Sequence, residues 1–194
     1  MFKIIVITRP DTFENETKVW VDLFEAGLER LHVRKPGFSV TEMQELLQQV
    51  PEQYYSRMVL SHQPELVQSY GTMGLHLSYV DFKQYSGTLE KGQTLSVSVH
   101  NWTEAAEVAP KVDYVFISPV FDSISKSGYL ANESLRLVPA GLNNIYALGG
   151  VCSSNIDQLS AMGYVGGVVL GEIWNKETHA LDNFKNLINK ELIE

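Results

Sequence analysis

Cys152 is the only cysteine in this chain. No disulfide can form within it, which excludes a cross-linked secreted scaffold and points to a reducing, cytosolic setting. Basic residues are scarce too: 15 lysines and arginines against 23 aspartates and glutamates leave a net charge of −8. That balance argues against a general nucleic-acid or anionic-membrane surface, which needs a broad positive field. No apolar run approaches the roughly 20 residues that cross a bilayer. The N-terminus enters Phe2-Lys3-Ile4-Ile5-Val6-Ile7 directly, so no secretory leader is expected. Linkers and low-complexity stretches are also missing, and 194 residues suit a single domain over 1–194 with a sizeable core.

Short apolar runs recur about every 20–25 residues, with helical or turn-rich stretches between them. We read eight strands, near residues 3–8, 29–34, 57–61, 73–77, 94–99, 113–118, 144–148 and 165–170. Their continuous apolar character suits parallel strands buried on both faces. Helices are expected over 16–26, 40–50, 102–109, 153–162 and 180–192. Ser39-Val40-Thr41-Glu42 has the form of a capping box at the start of the second helix. Residues 78–93 give only a weak helical signal. Eight strands with intervening helices point to an α/β fold, a compact (β/α)8 barrel. An open flavodoxin-like sheet would use five or six strands and leave several runs unassigned.

Reactive residues gather where these strands end. Arg34 and Lys35 follow Leu31-His32-Val33, His100 follows Val97-Ser98-Val99, and Ser123, Ser125 and Lys126 follow Phe116-Ile117-Ser118-Pro119-Val120-Phe121-Asp122. Gly149-Gly150 comes after Ala147-Leu148, and Gly171 comes after the eighth run. In a parallel barrel the loops beyond the carboxyl ends of the strands build the active site. Guanidinium and ammonium groups can grip a phosphate or carboxylate, and glycine lets backbone N–H groups approach an anion. Imidazole transfers protons near neutral pH. Together these groups suggest catalysis on a phosphorylated small molecule. Cys152 has no identifiable activating partner and is read as an incidental thiol. His32 and His76 lie within apolar strands and are read as hydrogen-bonded barrel residues, His179 is expected to be solvated, and His62 is left without a role.

Over nearly its full length the chain resembles the thiamine phosphate synthase and thiazole tautomerase (TenI-like) superfamily. The segments that carry the resemblance are Leu31 to Lys35, Gly74-Leu75-His76-Leu77, Val97 to His100, Asp113 to Lys126, Ala147 to Val151 and Gly166 to Ile173, in that order. The resemblance implies a thiamine-pathway enzyme that handles a phosphorylated thiazole. It puts the thiazole phosphate on Gly149, Gly150, Gly171 and the Gly166-Gly167 pair, and oxyanions on Ser123, Ser125, Lys126 and Arg34. His100 would be the acid/base group.

Departures from the synthase pattern fall together. Glu-Lys after the arginine is Lys35-Pro36 here, so the cation is shifted by one residue and turned to the opposite face of an extended segment. Asn-Asp after the third strand is Ser61-His62, which removes one acidic Mg2+ position, while Asp81 matches the other. These losses lead us to prefer thiazole tautomerase-type proton transfer, which requires neither metal nor diphosphate. The alternative is thiamine phosphate synthase, joining hydroxymethylpyrimidine diphosphate to thiazole phosphate with Mg2+ on Asp81. A third reading is a barrel that binds a thiamine precursor without turnover. Nucleic acid and membrane are not expected as partners, and whether copies associate as a homo-oligomer is left open.

Overall fold

A computed structural model describes residues 3–122 and 130–191. Its eight strands are β1 (Lys3–Ile7), β2 (Leu31–Val33), β3 (Met58–Ser61), β4 (Gly74–Ser78), β5 (Thr94–Val99), β6 (Tyr114–Ile117), β7 (Ile145–Ala147) and β8 (Gly166–Val169). Each pairs in parallel with the next in sequence, and β8 closes on β1 through registers such as Ile4↔Gly167. The fold is the closed (β/α)8 barrel, with all eight expected strands present.

Side chains alternate across the barrel wall because a strand has a period of two. Ile4 and Val6, Leu31 and Val33, and Val97 and Val99 face outward into the large apolar layer beneath the helices. Ile5, Ile7, Tyr114, Phe116, Tyr146 and Val168 pack in a separate inner cluster. His32 and His76 belong to that interior: their rings lie 4.9 Å apart, and each is 4.7 Å from Phe116. The barrel is therefore filled rather than hollow, with aromatic bulk and imidazoles on strands whose outer faces are aliphatic.

The helices are α1 (Glu16–Glu25), α2 (Val40–Leu47), α3 (Pro64–Tyr70), α4 (Tyr79–Gln84), α5 (Trp102–Val108), α6 (Gln158–Ala161), α7 (Gly171–Trp174) and α8 (Ala180–Glu191). The capping box of α2 forms as expected, with Ser39 Oγ accepting from Glu42 N and Glu42 Oε2 accepting from Ser39 N at 2.8 Å. Two helices differ from expectation. The helix expected over 153–162 is reduced to the single turn α6, because Asn155 folds back on the preceding loop: its Oδ1 accepts from Cys152 N and its Nδ2 donates to Gly150 O. α4 fills part of the weak stretch 78–93. It has no fully buried residue: Tyr79 and Phe82 pack half-buried against the core, too short an apolar stripe for periodicity to detect. Between β6 and β7 the described residues hold only a short 3-10 turn, Glu133–Leu135.

Candidate active site

A cavity of ≈ 390 Å³ opens at the carboxyl ends of the strands, within the size range of small-molecule sites. Arg34, His62, His100, Gly149, Gly150 and Gly171 all line it. Its floor is formed by His32 and His76, and Ser61, Ser78, Ser98 and Ser118 add hydroxyls around the wall. Five residues expected on phosphate or proton chemistry thus converge from loops far apart in sequence. Ser123, Ser125 and Lys126 lie outside the described residues.

Arg34 owes its position to Thr8. One hydroxyl accepts from Arg34 N at 2.9 Å and donates to Arg34 O at 3.3 Å, tying the end of β2 to that of β1. Its guanidinium pairs with no carboxylate among the described residues, which leaves the fork open to a ligand. Lys35 takes the opposite course. It is buried, its ammonium bonded to Glu16 Oε1 at 2.5 Å and to the Asp11 carbonyl at 2.8 Å, and it does not line the cavity. Alternation has spent the shifted cation on the barrel's outer layer.

His100 stands just past β5 with Nδ1 3.1 Å from the Ser118 carbonyl oxygen. A carbonyl only accepts, so Nδ1 carries the proton and Nε2 offers its lone pair. Its backbone N–H donates to Glu104 Oε2 at 2.9 Å, at the start of α5. This is an imidazole held in one tautomer, suited to taking a proton.

The floor behaves differently. His32 Nε2 meets Tyr114 Oη at 2.8 Å, while its Nδ1 is buried without a partner. His76 bridges Ser96 Oγ through Nδ1 at 2.8 Å and Ser98 Oγ through Nε2 at 2.7 Å. Burial pulls the pKa of His32 well below its usual 6.5, and burial carries that of His76 down to about 3. Both are neutral hydrogen-bonding groups at pH 7. Sequence reasoning read them as structural barrel residues. They are that, and they also line the cavity.

The two glycines of the β7 loop follow directly from backbone geometry. Gly149 has φ 91° and Gly150 φ 66°, and a Cβ on Gly150 would lie 2.1 Å from the Asp122 carbonyl oxygen. Only glycine fits there, which lets the loop pass close over Phe121 and Asp122. Gly171 begins α7 across the cavity mouth. The pair Gly166-Gly167 is a correction to the phosphate cradle: it opens β8, at the barrel end away from the cavity, where Gly166 leaves room for the Tyr146 ring. Glu172 turns from the cavity and accepts from Ser153 N at 3.2 Å. Cys152 Sγ lies 3.0 Å from Ser154 Oγ and does not line the cavity.

Asp81 stands in the first turn of α4. Ser78 caps that turn by accepting from Asp81 N at 3.1 Å, and the Asp81 carboxylate in return accepts from the Ser78 hydroxyl. His62, with φ 61° just past β3, brings Nδ1 to 3.3 Å from Asp81 Oδ2. The two positions that the resemblance makes Mg2+ ligands do face each other. Magnesium demands hard oxygen donors in octahedral array, and here it would meet an imidazole and one carboxylate already engaged by Ser78 and His62. No group of three or more His, Cys, Asp or Glu side chains able to hold a metal exists among the described residues. With an imidazole at position 62, the residues present fit Mg2+ poorly, and Asp81 is the one hard oxygen donor of the pair.

A closed parallel barrel with cationic, imidazole and glycine-rich loops around one cavity defines an enzyme site for a small anionic substrate. The chain belongs to the thiamine monophosphate synthase family, which matches residues 4–173. It is similar to a thiamine phosphate pyrophosphorylase of Bacteroides thetaiotaomicron, 30% identical with a TM-score of 0.81 and 100% of each chain covered. A thiamine-phosphate synthase of Listeria innocua is 25% identical over 180 residues, 88% of this chain and 84% of the relative. A thiamine-phosphate synthase of Prochlorococcus marinus is 24% identical over 97% of this chain, which spans only 55% of that longer protein. Among the described residues no helix is long and apolar enough to cross a membrane.

Proposed function

We propose that the protein is a cytosolic enzyme of thiamine biosynthesis that joins a hydroxymethylpyrimidine diphosphate to a thiazole phosphate. The relatives' names favour this coupling over the proton transfer that the sequence departures led us to prefer. The observation that carries it at the site is Arg34, whose guanidinium has no carboxylate partner among the described residues and which lines the same cavity as Gly149, Gly150 and Gly171.

In this reaction the methylene–oxygen bond of the pyrimidine breaks and its electron pair leaves with the diphosphate. The thiazole nitrogen then donates its lone pair to the resulting cation. Arg34 binds the diphosphate, and its two-pronged fork stabilises the charge that grows on departure. The backbone of the Gly149-Gly150 and Gly171 loops receives the thiazole phosphate, and Ser123, Ser125 and Lys126 belong to the same anion-binding set. The floor formed by His32, His76 and Ser98 can seat a heterocycle without adding charge, since its imidazoles are neutral and already hydrogen-bonded within the barrel.

A second reading keeps thiazole phosphate as substrate but moves only a proton, aromatising the ring. It is favoured by the diversion of Lys35 into a buried ion pair and by the imidazole in place of an acidic ligand at position 62. Here His100 Nε2 takes the proton, its orientation held by Ser118 O. One experiment separates the two. Purified protein is given pyrimidine diphosphate with thiazole phosphate, or the non-aromatic thiazole carboxylate phosphate alone, and each product is followed by chromatography. We expect thiamine phosphate from the first mixture. Aromatic thiazole from the second with no thiamine phosphate from the first would replace coupling by proton transfer, and no product from either leaves a binder.

A further inference from the structure

The mismatch between His62 and a magnesium site is local, and the rest of the site is arranged as though a cation belonged there. Ser61 Oγ is buried at the cavity wall without a hydrogen-bond partner among the described residues, and Asp81, in the first turn of α4, brings its carboxylate beside position 62. The backbone of His62 adopts the left-handed conformation, which asparagine and aspartate enter more readily than most residues. An oxygen donor at position 62 would therefore sit without backbone strain beside the Asp81 carboxylate. Only the side chain differs.

We propose that His62 decides the metal dependence of this site: standing beside Asp81, its imidazole excludes the divalent cation and leaves a metal-independent enzyme. The physical basis is twofold. Imidazole is a poor ligand for magnesium, and its Nδ1 stands 3.3 Å from the Asp81 oxygen that a cation would need, crowding that approach. Ser78 positions the Asp81 carboxylate, and His62 stands beside it. The proposal concerns the site rather than the choice between coupling and proton transfer, so its outcome does not depend on that choice.

Mn2+ serves as the probe, since it shares magnesium's preference for oxygen and its free form is counted directly by electron paramagnetic resonance. The intact protein titrated with millimolar Mn2+ should take up none at a defined site. His62→Asp should bind one Mn2+ per chain at least about tenfold tighter, because carboxylate count sets the affinity of oxygen sites. Adding Asp81→Asn to that variant should abolish the uptake. His62→Asn restores an oxygen donor without new charge, should bind more weakly than His62→Asp, and carries the test if the aspartate variant fails to fold by circular dichroism. One Mn2+ bound by the unaltered protein and lost in Asp81→Asn would overturn the proposal. So would a folded His62→Asp or His62→Asn that gains no binding. The readout is occupancy, so it stands whichever product the enzyme makes.

Discussion

At the scale of single residues, what matters is which atom each side chain has left over. Arg34 has its backbone bound to Thr8 and its guanidinium unpaired among the described residues, whereas Lys35 has its ammonium fully engaged. His100 has Nδ1 committed and Nε2 spare, and His62 stands with Nδ1 3.3 Å from Asp81 Oδ2. His100 therefore gives a sharp test. If it moves the thiazole proton, His100→Asn should keep binding but lower aromatisation about 10²-fold, the scale of general acid–base catalysis. Under coupling alone the same variant should change thiamine phosphate formation by far less. Steady-state kinetics of both reactions, read as separate kcat and KM effects, check this. Equal loss in neither reaction would leave His100 as a brace between β5 and Ser118.

At the scale of elements, the end of β2 shows how one shifted residue redirects chemistry into structure. Lys35 is buried against α1, its ammonium between Glu16 and Asp11 O and 5.8 Å above the Trp20 ring. Burial raises the pKa of Glu16 and lowers that of Lys35, so desolvation opposes both charges, and only their contact keeps the pair ionised. Breaking such a pair is costlier than replacing it whole. We expect Lys35→Met to destabilise the fold by about 3–5 kcal/mol, and Lys35→Met with Glu16→Gln to recover much of that loss. Urea unfolding of the three proteins checks it, and a single-variant cost below about 1 kcal/mol would show that the pair contributes little. Elements also mark where the sequence was hard to read. The capping box of α2 announces itself in Ser39 and Glu42, but α4 half-buries only Tyr79 and Phe82, and its cap, Ser78 accepting from Asp81 N, precedes too short an apolar pair to mark a helix. The Asn155 turn that shortens α6 depends on contacts to the backbone of Gly150 and Cys152, which no periodicity reveals.

At the scale of the whole molecule, the eight strands were legible because each outward face is aliphatic and every run ends in turn or cap residues. The barrel's content was less so. Read as continuous apolar runs, the strands conceal that every second residue enters a shared interior, where His32, His76, Ser96, Ser98 and Tyr114 form a polar lining beneath the cavity. That lining links the whole fold to pH. In the unfolded chain a histidine titrates near 6.5, whereas burial holds His76 at about 3 and His32 well below its usual value. A lowered histidine pKa means that the unfolded state binds protons first. Stability is then full above about pH 6.5 and falls as pH drops through the unfolded value, until the folded pKa is reached. For His76 alone this amounts to about 2 kcal/mol lost between pH 7 and pH 5, before most carboxylates titrate. His76→Gln keeps a neutral hydrogen-bonding group in the barrel but cannot take up that proton. We therefore expect it to be less stable than the native sequence at pH 7, yet to lose about 2 kcal/mol less on going to pH 5. Urea midpoints of both proteins at the two pH values measure the difference directly. Parallel losses would mean that His76 accepts a proton inside the folded barrel, which its contacts with Ser96, Ser98 and Phe116 argue against, since none of them carries a compensating charge.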